Sequence, residues 1–111
     1  MPLFKLCKLT ELDDIASRGF VISDVSLKRN IFLVKNSLGV FAYENRCPHS
    51  SASLDWVPDQ FLDYNKEYIQ CANHGALFEL HNGHCIYGPC SGQYLDKVSL
   101  EIIDNWIFAS I

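Results

Sequence analysis

Two short stretches constrain this chain more than any other part of it: Cys47-Pro48-His49 and Cys71-Ala72-Asn73-His74-Gly75. Each offers one thiol and one imidazole within a few residues, and Ser50 to Gln70 separate them. Structural zinc sites more often pair like with like, two cysteines in one knuckle and two histidines on a helix. Here each half mixes the two, so folding the halves together gathers two cysteines and two histidines around one site. A [2Fe–2S] centre with unlike irons needs that donor set, thiolates on one iron and imidazoles on the other. A zinc site built from the same four side chains is the alternative.

The surrounding residues extend the pattern. After His74 come Gly75-Ala76-Leu77-Phe78-Glu79-Leu80, then Asn82-Gly83, then Gly88-Pro89; ahead of Cys47 runs Val40-Phe41-Ala42-Tyr43-Glu44-Asn45-Arg46. In these features the chain resembles the Rieske family, whose signature is C-x-H followed by C-x-x-H-G. The resemblance runs from about Phe4 to Phe108. Four candidate ligands, a glycine and a Gly-Pro loop in the right order make it specific.

The resemblance implies an all-β Rieske iron–sulfur fold, an antiparallel β base domain with a small cluster-binding subdomain inserted in it. The subdomain falls at roughly Asn45 to Gly92, with Phe4 to Glu44 and Gln93 to Ile111 as the base. By resemblance, Cys47 and Cys71 bind the inner iron of a [2Fe–2S] cluster, and His49 and His74 bind the outer iron near the surface. Gly75, Ala76 and Phe78 then belong to the second cluster loop, and Gly88 and Pro89 to a proline loop that shields the cluster. Glycine in such loops lets backbone approach closely.

Departures from the high-potential branch of the family are informative. Respiratory members carry a further cysteine in each loop, joined as a disulfide; the matching residues here are Ala52 and Asn73. The same branch places a serine and a tyrosine hydroxyl near the cluster sulfurs, where this chain has Ala76 and Phe78. Fewer donors to reduced sulfur imply a potential towards the low end of the roughly −150 to +300 mV Rieske range. That points to a ferredoxin-type carrier taking one electron from a reductase to an oxygenase or other redox enzyme. Histidine ligands further imply proton-linked reduction at some pH.

The 111 residues suit one domain, with no room for a second catalytic module. Terminal oxygenases with Rieske domains need a separate iron site of two histidines and a carboxylate, so the chain is expected to carry electrons rather than act as an enzyme alone. Hydrophobic residues at 49% and charged residues at 20% argue for a globular fold over disorder. The formal charge of -4 argues against nucleic acid as a partner. A mildly acidic surface favours a basic face on a protein partner. No apolar run is long enough for a membrane anchor. Lys5 and Lys8 interrupt what would be the apolar core of an export signal, so a cytoplasmic location is expected. Five cysteines in such a chain read as ligands or buried thiols rather than a disulfide framework.

Taken in order, Phe4, Leu6 and Leu9 alternate with polar neighbours as an opening strand should. Thr10 to Asp14 predicts one helical turn before Gly19 breaks it. Phe20-Val21-Ile22 and Asn30-Ile31-Phe32-Leu33-Val34 predict strands joined by a turn, and Asn36 to Gly39 a second turn before the strand Val40 to Tyr43. Pro58 predicts a loop with Trp56 and Phe61 packed inward. Tyr68-Ile69-Gln70, Tyr94 to Ile102 and Trp106-Ile107-Phe108 predict three further strands.

His81 and His84 flank a hairpin turn and are expected to be solvated rather than ligands. Cys85 and Cys90 are expected as free or buried thiols, with a disulfide as the alternative; Cys7 is expected as a small apolar residue, and Trp56 and Trp106 as core. Two other functions compete with the carrier. One is an accessory subunit of a larger oxidoreductase, such as the small Rieske-like subunit of a nitrite reductase. The other is a structural zinc module.

Overall fold

The computed structural model describes residues 3–24, 27–48, 53–55, 59–72 and 75–111. The elements run β1 (Leu3–Lys8), a 3-10 turn (Leu9–Glu11), β2 (Ala16–Asp24), β3 (Leu27–Asn36), β4 (Gly39–Glu44), β5 (Tyr68–Gln70), β6 (Leu77–Glu79), β7 (Cys85–Tyr87), β8 (Lys97–Ile103) and β9 (Trp106–Ser110). Six strands form one sheet in the order β1-β9-β8-β4-β3-β2, and β5-β6-β7 form a second. Every pairing is antiparallel. Among the described residues there is no α-helix, and no helix long and apolar enough to cross a membrane.

The apolar run in β3 explains how the two sheets meet. Ile31, Phe32, Leu33 and Val34 are all fully buried. Successive strand residues point to opposite faces, and the two pairs do feed different cores. Ile31 and Leu33 join Cys7, Ile22, Ala42, Val98, Ile107 and Ala109. Phe32 and Val34 join Tyr43, Leu54, Phe61, Ile69, Phe78 and Leu80. The large sheet is therefore covered on both faces at β3. A continuous apolar run of this kind is the mark of a strand buried on two sides.

Phe61 makes the second of these cores. Its ring stacks on Phe32 with centroids 4.3 Å apart and planes 3° from parallel. Gly19, expected to lie beyond a helical turn, instead sits inside β2 opposite Phe32. A Cβ at Gly19 would stand 3.3 Å from the Phe61 ring, so the missing side chain makes room for it. Asp59 secures the same crossing, accepting the Gly19 N–H at 2.7 Å while its carbonyl accepts the Ser17 hydroxyl at 2.6 Å.

The helical turn is shorter and earlier than expected. Glu11 accepts the Lys8 N–H at 2.8 Å, which starts the turn at Leu9, and Thr10 lies within it rather than capping it. In β1 the register shifts between Lys5 and Cys7, so Leu6 is an extra residue opposite Phe108 and Ile107. This bulge lets Cys7 turn inward. Asp104 and Asn105, with φ of 49 and 69, form the tight turn of the β8–β9 hairpin.

Three expectations need correction. The strand expected from Tyr94 begins only at Lys97; Tyr94 makes a single bridge to His84 and stacks on its ring, with centroids 4.7 Å apart. His84 is thus half-buried rather than solvated, whereas His81 is exposed beside Glu79. Trp106 lies at the rim rather than in either core. Lys5 Nζ sits 3.9 Å from the centre of its ring, and Lys8 flanks it. Trp56 and Pro58 fall outside the described residues.

Candidate metal centre

Cys47 follows β4 by three residues, and the chain leaves the strand in a fixed direction. The Asn45 N–H donates to Asn30 O at 2.9 Å, and the Arg46 N–H to Glu44 O at 2.9 Å. The Arg46 guanidinium bonds Asp96 at 2.7 Å; both groups are largely exposed, so the pair orients more than it stabilises. The Cys47 side chain is fully buried, yet it borders a surface recess of about 260 Å³ shared with Arg46, Pro48, Tyr94 and Asp96.

Cys71 follows β5 directly and is also fully buried. Its N–H donates to Ala76 O at 2.9 Å and its carbonyl accepts the Gly75 N–H at 2.9 Å, closing a tight loop ahead of β6. Gly75 has φ of 66, a conformation that glycine adopts without strain. Ala76 and Phe78, which also follow Cys71, are fully buried and carry no hydroxyl.

One backbone segment ties the two cysteine loops together. Asn45 Oδ1 accepts the Leu54 N–H at 2.8 Å, and Asn45 Nδ2 donates to Asp55 Oδ1 at 3.0 Å. Leu54 O in turn accepts the Ala72 N–H at 2.8 Å. A residue two before Cys47 is thus linked through Leu54 to the residue after Cys71. Sequence reasoning missed this role for Asn45, because an asparagine beside a ligand motif looks like any loop asparagine.

The loop after β7 packs against the second cysteine loop. Gly88 has φ of 105, and a Cβ there would meet Ala76 Cα at 2.8 Å. Pro89 is exposed, and Cys90 beyond it is buried. Cys85 and Cys90 are unbridged, with their sulfurs 3.0 Å apart. The Cys90 thiol is pushed up to about 12 by burial, by its hydrogen bond to Cys85, and by Cys85 and Cys47 nearby. Behind these loops the Tyr43 hydroxyl donates to Leu80 O at 2.6 Å, and burial raises its pKa.

His49 and His74 lie outside the described residues, as do Ala52 and Asn73. The described part of the site therefore consists of two buried thiols on loops joined through Leu54, with Gly75, Ala76, Phe78, Gly88 and Pro89 around the second loop. Two larger recesses, each about 470 Å³, involve neither cysteine. One is lined by acids from Asp13, Asp59 and Asp63, and the other lies between Lys28, Arg29 and Arg46.

Comparison with known families decides what these loops belong to: the model of the Rieske [2Fe-2S] domain matches residues 3–104. The chain belongs to the Rieske family. Its cofactor is accordingly a Rieske-type [2Fe–2S] cluster. Cys47 and Cys71 are both buried, and cysteine sulfur is the soft donor type that iron–sulfur chemistry uses.

Solved structures agree on the Rieske fold. The Sphingomonas yanoikuyae B1 ferredoxin is 19% identical with a TM-score of 0.70, the match covering 99% of both chains. A chain from the complex of reduced oxygenase and oxidized ferredoxin in carbazole 1,9a-dioxygenase is 19% identical with a TM-score of 0.74, covering 97% of this chain and 92% of that one. The terminal oxygenase of carbazole 1,9a-dioxygenase from Novosphingobium sp. KA1 is 18% identical with a TM-score of 0.79. That match covers 98% of this chain but 29% of the oxygenase. No curated protein matches the chain.

Proposed function

We propose that this Rieske chain is a one-electron carrier that receives an electron from a reductase and delivers it to an oxygenase or similar redox enzyme. The observation that supports it best is the Rieske [2Fe-2S] domain match over residues 3–104, together with ferredoxins among the solved structures of the same fold. The neighbour solved as an oxygenase–ferredoxin complex supports an oxygenase as the class of acceptor.

Cys47 and Cys71 would hold one iron, and His49 and His74 the other; residues 45–92 would form the cluster-binding subdomain. Bound there, the cluster supplies a single reversible electron and, through its imidazoles, a proton-linked potential. Ala76 and Phe78 exclude water without offering a hydroxyl to sulfur, which favours a potential low in the roughly −150 to +300 mV Rieske range. Asn45 holds the two cysteine loops in register. A cytoplasmic location is part of the same reading.

The test is an anaerobic titration followed by transfer. The chain should take up one electron, and the reduced form should be reoxidised by a terminal Rieske oxygenase during turnover of its substrate. A chain that took up no electron, or that passed electrons only within a stable assembly with a nitrite reductase, would contradict the carrier.

A further inference from the structure

The thiols of Cys85 and Cys90 take no part in the proposed ligand set, yet their two buried sulfurs lie in direct contact. Their sulfurs stand 3.0 Å apart, against about 2.05 Å in a disulfide bond. Cys85 also donates to Tyr87 O at 3.3 Å. A thiol has one proton, so with that proton on Tyr87 the Cys90 S–H points at the Cys85 sulfur.

The backbone already holds the two ends of the loop together. The Cys85 N–H donates to Gln93 O at 2.8 Å, the Gly92 N–H to Cys85 O at 3.0 Å, and the Gln93 N–H to Cys90 O at 2.9 Å. Both side chains are buried. Every residue from Ile86 to Tyr94 other than Gly88 and Cys90 is nevertheless exposed. A small oxidant therefore needs only local opening of this one loop to reach sulfur.

We infer that Cys85 and Cys90 are a reversible dithiol–disulfide pair, a modification site whose oxidant is a peroxide. One sulfur attacks the O–O bond, forming an S–O bond and releasing water, and leaves a sulfenic acid. The second sulfur then displaces its hydroxyl, forming the S–S bond and releasing a second water. Two electrons pass from the thiols to the peroxide, and both thiol protons end in water. A dithiol reverses the step by thiol–disulfide exchange. The bond would latch the loop bearing Gly88 against Ala76, where there is no room for a Cβ at Gly88.

Thiol counting on the intact holoprotein tests this independently of its role as an electron carrier. The protein is treated with hydrogen peroxide, quenched with catalase, denatured and alkylated with iodoacetamide. Trypsin then releases the peptide between Lys66 and Lys97, which carries Cys71, Cys85 and Cys90. The expected peptide lacks two hydrogens and bears one alkyl group, placed on Cys71 by fragmentation. Dithiothreitol before alkylation should restore three alkyl groups. Three alkyl groups after peroxide would overturn the inference, as would a bond to Cys71 or oxygen added at Cys85 or Cys90 in place of the bond. Fragmentation locates each group in the wild-type chain, so the result does not depend on a variant folding.

Discussion

The side-chain oxygen of Asn45 accepts the Leu54 N–H at 2.8 Å, and Leu54 O accepts the Ala72 N–H at the same distance. Through these two bonds the loop bearing Cys47 and the loop bearing Cys71 share one support, although 24 positions separate the cysteines (71 minus 47). The proposed ligand set, drawn from both loops, would need the two thiols at fixed separation, and Asn45 would contribute to that by holding backbone rather than metal.

Asn45→Ala removes the acceptor for Leu54 and the donor for Asp55 together. The expected loss is about 1–3 kcal/mol, read as a lower denaturant midpoint at unchanged slope. Cluster occupancy should fall with it. A variant with wild-type midpoint and wild-type visible absorbance would show that the Leu54 link carries no load.

Gly88 and Gly92 both have positive φ, but only Gly88 is crowded. Gly92→Ala meets nothing within 4 Å and should cost about 1–3 kcal/mol of backbone strain. Gly88→Ala adds contact with Ala76 Cα and a further overpacking cost of about 1–3 kcal/mol. Comparing the two thermal midpoints separates the terms, and equal losses would mean that the loop moves freely away from Ala76.

Tyr43 sets a pH dependence. Burial raises its pKa above the ordinary phenol value of about 10, so above that pH the unfolded chain gives up a proton that the folded chain keeps. The stability tied to this group is complete below pH about 10 and is lost as pH rises towards the folded value. Tyr43→Phe should remove that part of the alkaline decline. The same change strands Leu80 O and should cost about 1–3 kcal/mol near neutral pH. An alkaline decline unchanged by the substitution would contradict the assignment.

The fold was legible where periodicity and punctuation agreed. The apolar run at Ile31 to Val34, the turn at Asn36 to Gly39 and the closing strand at Trp106 all stand where apolar runs and turn residues place them. The misses have physical causes. Gly19 reads locally as a breaker, but its missing Cβ is required by Phe61, 42 positions on (61 minus 19), a contact no local window contains. Tyr94 has strand propensity, yet stacking on His84 holds it outside β8. Trp106 pairs with two lysines on β1 that lie far from it in sequence. At the site the sequence placed Cys47 and Cys71 on loops beside short strands, where both are buried; His49 and His74 lie outside the described residues. The Asn45–Leu54–Ala72 link was not legible, since its hydrogen bonds run through backbone.

Ligand substitutions test the split between the two irons. Cys47→Ser or Cys71→Ser should abolish the cluster and destabilise the loops, because cluster binding there contributes to folding. His74→Cys should retain iron but shift the spectrum towards an all-cysteine ferredoxin, with a lower potential. Cluster retention in either serine variant, or an unchanged spectrum in His74→Cys, would contradict the ligand set.

The most direct test of the account is the low-temperature EPR spectrum of freshly purified, dithionite-reduced protein. A rhombic signal with average g clearly below that of all-cysteine ferredoxins is the expected result, since imidazole ligation of one iron produces it. A colourless, EPR-silent protein with stoichiometric zinc, or a signal of the all-cysteine type, would contradict it.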